Sequence, residues 1–106
     1  MSGKNIVYLA GPITGVPNYK ENFKQYEEYL KKKGYTVINP ANTLPVGLTN
    51  EQYMHACLNL IDCADVVLFL PGAEDSKGAQ CEFHYCRYIN KPRAFSLHDL
   101  KEVLRR

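Results

Sequence analysis

The sequence predicts an α/β protein, a single-domain flavodoxin/Rossmann-like three-layer sandwich over residues 1–106, with a four-stranded parallel sheet in the order 2-1-3-4. Three observations carry that expectation. The runs NIVYLA (residues 5–10) and DVVLFL (residues 65–70) are apolar without alternation, as strands covered on both faces are. Segments of helical periodicity separate the strand-like runs, giving the order β-α-β-α-β-α-β-α. Right-handed crossovers between parallel strands then place helices on both sides of the sheet. A chain of 106 residues has room for one such core.

The first strand ends at Gly11 and Pro12, and the loop GPITGVPN leads into an amphipathic helix. There Tyr19, Phe23, Tyr26 and Leu30 recur at helical spacing, lysines and glutamates take the other side, and Gly34 is a natural stop. YTVI, residues 35–38, is the second strand, ended by Asn39 and Pro40. ANTLPVGLTN, residues 41–50, reads as a long connection of the kind that borders sites in compact domains. The second helix is expected from Asn50 or Glu51 to Cys63, capped by Thr49 or Asn50, with Tyr53, Ala56, Cys57, Leu60 and Ile61 buried. After the strand at 65–70, a third helix from about Ser76 to Asn90 leads to a short strand at 93–96. A helix from Leu97 to Arg106 closes the chain. In a sheet of this order ligands collect beyond the carboxyl ends of the strands where the winding reverses, here the loops after Ala10 and Leu70.

Thirteen basic residues face 11 acidic ones, a net charge of +2, with short basic clusters only at Lys31–Lys33 and Arg105–Arg106. That balance argues against a nucleic acid polymer as partner. No apolar run approaches the ~18 residues of a membrane span, and the start of the chain lacks the plan of a secretory signal, so no membrane partner and a cytoplasmic location are expected. In that compartment Cys57, Cys63, Cys81 and Cys86 are reduced thiols. Cys81, His84 and Cys86 gather with His55 and Cys57 in metal-like numbers, but at ~100° per residue His84 and Cys86 point to nearly opposite sides of a helix. Buried structural thiols, with neither metal nor cofactor, are the expectation.

Two loops are candidates for chemistry. GPITG, Gly11 to Gly15, lets backbone approach a ligand and turns amides toward an anion, although it matches neither a dinucleotide fingerprint nor a Walker loop and an ordinary turn is the alternative. PGAEDSKGAQCE, Pro71 to Glu82, places Ser76 to cap the third helix and Gly78 to leave the first amides open. Glu82 lies six residues past Ser76, within the first two turns, and leans back toward the carboxyl edge of the sheet. The competing reading is an exposed glutamate gaining ~0.3–1 kcal/mol from the helix end.

YLAGPITG (8–15), NPA (39–41), YM (53–54), CADVVLFLPG (63–72) and SKGAQCE (76–82), in that order, resemble the nucleoside 2-deoxyribosyltransferase superfamily, in particular its small, often phage-borne branch. A more distant likeness is to the 2'-deoxynucleoside 5'-monophosphate N-glycosidases. The resemblance covers residues 5 to about 95. It implies that Glu82 is the nucleophile attacking the anomeric carbon of a deoxyribose and that Tyr8 positions it. Ser76 and Gly78 would hold the 5' end or its phosphate. Gly11, Pro12, Ile13, Cys57 and Gly72 would complete the substrate-binding set, and a small-molecule nucleoside or nucleotide would be the partner. Relatives of this architecture complete their pockets from a neighbouring subunit, which implies a homodimer or higher homo-oligomer through the second and third helices.

The pattern departs in one place. Active members carry an aspartate eight residues before the aspartate of the C-A-D stretch, and here that position is Cys57. A neutral thiol does not act as a carboxylate does near neutral pH. Asp62 and Asn59 turn away from the face of Cys57, whereas Glu74 and Asp75 are nearer the expected pocket. Asp65 is read either as a turn cap or as part of the site. His55 is expected on the exposed side of its helix, Tyr19, Tyr26, Tyr29 and Tyr53 in the core or an interface, and Arg87 at the surface. The functional expectation is cleavage or transfer at the N-glycosidic bond. A nucleotide-binding or sensing protein that keeps the pocket is the alternative, and a plain interaction domain is a third reading.

Overall fold

The structure is a computed structural model and describes residues 5–105. Four strands, β1 (Ile6–Ala10), β2 (Thr36–Ile38), β3 (Val66–Phe69) and β4 (Arg93–Ala94), form one parallel sheet in the order β2-β1-β3-β4. The helices are α1 (Tyr19–Lys32), α2 (Pro40–Thr43), α3 (Asn50–Asp62), α4 (Lys77–Ile89) and α5 (Leu97–Leu104). A 3-10 turn at Ala73–Asp75 precedes α4. The terminal helix thus stops short of its expected end, and Arg106 lies outside the described residues. No helix among the described residues is long and apolar enough to cross a membrane.

The two-residue period of the strands divides the core. Val7, Leu9, Val66 and Leu68 pack on one face with Phe23 and Leu30 of α1 and Leu100 of α5. Tyr8, Ala10, Val67 and Phe69 pack on the other with Cys57 and Ile61 of α3 and Ala79 and Cys86 of α4. Val7, Leu9, Val66, Val67 and Leu68 are excluded from solvent, and each such aliphatic side chain contributes about 1.5–3 kcal/mol on burial. The winding reverses between β1 and β3, which opens the carboxyl ends of these two strands.

Side-chain caps fix where the helices begin. Thr49 and Gln52 form a reciprocal capping box, each accepting a backbone N–H of the other at 3.0 Å, so Thr49 and not Asn50 is the cap of α3. Ser76 Oγ accepts from the Ala79 N–H at 3.2 Å, and Asn90 ends α4 in the left-handed conformation at φ 58°.

Three expectations are corrected. The connection after β2 begins with a helical turn, α2: Asn39 Oδ1 accepts from the Ala41 N–H at 3.0 Å and Pro40 supplies the preset φ of a first helical residue. The other end of the Asn39 side chain donates to Glu27 Oε1 at 2.9 Å, tying that turn to α1. β4 has two residues instead of four, because Ser96 accepts from the Asp99 N–H and starts α5. Only Cys57 and Cys86 are buried thiols. Cys63 sits at the exposed end of α3, and Cys81 steps off the buried stripe of α4.

Asp65 is structural. Its carboxylate accepts the Ile6 N–H at 2.9 Å while its own N–H donates to the Ile6 carbonyl at 2.8 Å, which joins the amino ends of β1 and β3 away from the open strand ends. Asp65→Ala is expected to lower the unfolding free energy by about 1–3 kcal/mol, read by urea denaturation, because it strands the Ile6 N–H. Ligand binding at the opposite end of the sheet should be unchanged.

Candidate functional site

A cleft of about 960 Å³ opens over the carboxyl ends of β1 and β3. The loop after β1 supplies Gly11, Pro12 and Ile13, and the loop after β3 supplies Gly72 and Asp75. Ser76 and Gly78 come from the start of α4, Pro40 and Ala41 from α2, and Cys57 from α3. Tyr8 and Glu82 lie in the same lining, so all nine residues singled out from the sequence meet in one cavity. Glu74 is exposed and borders a separate hollow with Phe69, Phe83 and Phe95, while Asp75 stands exposed at the rim of the cleft. His55 and Arg87 are exposed and outside the cleft lining. Asp62 is engaged elsewhere, accepting from the Tyr85 hydroxyl at 2.7 Å.

The loops are held by close contacts. Gly72 adopts φ 90°, and a Cβ there would meet Pro12 Cγ at 3.2 Å, so a side chain at this position would be strained and would press the two loops apart. At Gly78 a Cβ would come within 3.3 Å of Met54 Cε, between α3 and the start of α4. The N–H groups of Lys77 and Gly78 precede the first intrahelical bond of α4, and the dipole of that helix end favours an anion.

At the floor of the cleft the Tyr8 hydroxyl donates to Glu82 Oε2 at 2.5 Å. Tyr8 comes from the inner face of β1, and Glu82 from the α4 stripe Ala79, Glu82, Cys86, whose spacing of three and four residues turns one helix face to the sheet. A carboxylate thus occupies a position the helical period reserves for an apolar side chain, with 5% of Glu82 exposed. No ion pair among the described residues involves it.

Burial pushes the Glu82 carboxyl up to about 7, while the hydrogen bond from Tyr8 and the neighbouring Cys57 thiol pull the other way. The Tyr8 phenol is raised well above its ordinary value, first by burial and then by the charge of Glu82. The Cys57 thiol is likewise pushed up to about 12 by burial, so it is a neutral neighbour of the carboxylate.

Two residues read from the sequence as core or interface side chains pack partly buried against the core and also form part of the cleft wall. Tyr19 and Tyr53 line the cleft. The Tyr53 hydroxyl is buried without a hydrogen-bond partner, and burial above all raises its pKa, with the thiol and carboxyl groups of Cys57 and Glu82 adding to it. The i, i+4 spacing of Tyr53 and Cys57 put both on one face of α3, which is the signal that links them. Among the described residues no group of three or more His, Cys, Asp or Glu side chains is arranged to hold a metal ion.

The folded protein holds the Glu82 proton more tightly than the unfolded chain, whose value is the ordinary 4.5. Stability from this group is therefore fully present below 4.5 and is lost as pH rises through about 7. The difference corresponds to about 3 kcal/mol at alkaline pH. Glu82→Gln is expected to be more stable than the parent at pH 8–9 by up to about that amount, with the gain vanishing toward pH 5, measured by urea unfolding across pH.

Comparison with known proteins gives two findings. Residues 5–94 match the family described as Domain of unknown function (DUF4406). Among solved structures the chain is similar to a 2-desoxiribosyltransferase from Leishmania mexicana, with 17% identity and a TM-score of 0.66 over 84% of this chain. The chain spans 61% of that protein's length, and at this identity the likeness is one of fold. No curated protein matches. Since the family match takes in all four strands and α4 with its buried glutamate, the chain belongs to the DUF4406 family.

Proposed function

We propose that the protein cleaves or transfers the N-glycosidic bond of a nucleoside or its 5'-monophosphate, with Glu82 as nucleophile. The observation that carries this reading is the Tyr8–Glu82 hydrogen bond at the floor of the cleft. A carboxylate in a pocket of low polarity stabilises an oxocarbenium-like transition state, or captures it as a glycosyl ester that water or a second base then resolves. The Tyr8 hydroxyl fixes one carboxylate oxygen and directs the other at the anomeric carbon. The open amides at the start of α4, with Ser76 and Gly78, are suited to the 5' end of the sugar or its phosphate, and Lys20 and Lys77 lie along the same lining. Gly11, Pro12, Ile13 and Gly72 form the backbone-lined side, and Cys57 offers a neutral contact beside the carboxylate. The fold likeness to a 2-desoxiribosyltransferase supports the same chemistry. Assembly into a homo-oligomer through α3 and α4 belongs to this proposal, Tyr88 standing 87% exposed on α4.

The test is incubation with deoxynucleosides and their 5'-monophosphates and chromatography of the free base. Glu82→Ala should lose about a thousandfold or more in rate, and Tyr8→Phe about a hundredfold. Because the attacking carboxylate must be ionised, kcat/KM should fall as pH drops below about 7. Base release that persists in Glu82→Ala would end the reading, and saturable nucleotide binding with no release from any nucleoside or nucleotide tested would transfer the site to a binding protein.

A further inference from the structure

The cleft contains a buried carboxylate and, among the described residues, no carboxylic acid or imidazole held beside it. The carboxyl groups in its lining are Glu82 and, at the exposed rim, Asp75; its cations are the exposed Lys20 and Lys77, neither of which pairs with Glu82, and no imidazole is among the described lining residues. The groups that face Glu82 are Tyr8 from β1, Tyr53 and Cys57 from α3, and Cys86 from its own helix. These are phenols and thiols whose protons burial holds tightly, with Cys57 pushed up to about 12 and Cys86 to about 11. None of them delivers a proton to a departing base near neutral pH. The second observation is independent: Glu82 is buried with no cationic partner among the described residues. A buried carboxylate without a counter-charge is a costly arrangement that a cationic ligand relieves.

We infer that the site is matched to N-glycosides whose base already carries a positive charge, such as N7-alkylated purine or pyridinium nucleosides and nucleotides. This rests on the N-glycosidic reading above. With such a substrate the C1'–N bond breaks and its electron pair passes to the ring nitrogen, so the base leaves neutral and needs no proton. A carboxylate oxygen of Glu82 forms the bond to C1'. Water then attacks C1', the ester bond breaks with its pair returning to Glu82, and one proton is released to solvent. The substrate's positive charge also favours the ionised carboxylate, so binding itself prepares the nucleophile.

The experiment compares matched pairs on the full chain at pH 8. They are N7-methyl-2'-deoxyguanosine against 2'-deoxyguanosine, and nicotinamide riboside against its neutral dihydro form, each with and without a 5'-phosphate and corrected for uncatalysed decay. The expected kcat/KM ratio favours the cation by at least about a hundredfold, the span a missing general acid accounts for. A smaller ratio, or preference for the neutral member, overturns this inference and leaves the glycosidic reading standing. Release from no probe overturns both. A binding measurement separates charge from chemistry: the cation of each pair should bind about tenfold more tightly than its neutral partner, and that preference should disappear in Glu82→Gln. Equal binding in the parent protein, or a preference that survives in Glu82→Gln, overturns the counter-charge argument and the inference with it.

Discussion

The hydrogen bond between Tyr8 and Glu82 is the constraint around which the open end of this molecule is arranged. A phenol at the centre of a sheet and a carboxyl group on the buried stripe of a helix are each costly in an apolar layer, and each is the partner that makes the other tolerable. Their meeting fixes how α4 lies on β1, because moving the helix by one residue would present Cys81 or Phe83 in place of the carboxylate. Small residues share the lining with the pair, Gly78 and Ala79 on α4 and Gly11 and Gly72 in the loops after β1 and β3. The glycines let their segments pack closely, Gly11 against Leu70, Gly72 against Pro12 and Gly78 against Met54.

The helix that carries the carboxylate is also held by an aromatic cluster beside it. Phe83, the next residue, meets Phe69 of β3 edge-on with ring centroids 5.8 Å apart, and Phe95 stacks on Phe69 at 5.4 Å. The Arg93 guanidinium lies 5.7 Å from the centre of the Phe83 ring. A reactive group held to within a fraction of an ångström needs such support, and here strand, helix and the segment after β4 all provide it.

Much of this was legible in the sequence because its strongest signals are long. Two uninterrupted apolar runs defined the central strands, and glycine and proline after the first marked a cleft wall. The burial of Glu82 was written in the spacing Ala79, Glu82, Cys86, a polar residue on an apolar period. What escaped is short or two-faced. α2 hides in Asn39-Pro40, which reads equally as the end of a strand, and only the double hydrogen bonding of the Asn39 side chain distinguishes the two. Tyr19 and Tyr53 carry both an apolar ring and a hydroxyl, so periodicity places them on the inner helix faces without revealing that those faces run past the sheet edge into the cleft. Asp65 was ambiguous for a related reason: its sequence position fits a turn or a site, and its contact with Ile6 is 59 residues distant along the chain.

The alternation of the strands has a consequence for how this domain tolerates change. Every side chain of chemical interest on the sheet projects toward α3 and α4, while the layer beneath α1 and α5 is assembled from valine, leucine, phenylalanine and alanine. The sheet separates the two layers over most of their area, but Leu9, Phe23 and Ala41 of the lower layer also reach the cleft lining. Lineages are therefore free to exchange Val7, Leu30, Val66, Leu68 and Leu100, which stay clear of the cleft, at constant volume, adjusting the domain to warmer or colder surroundings without disturbing whatever is bound above.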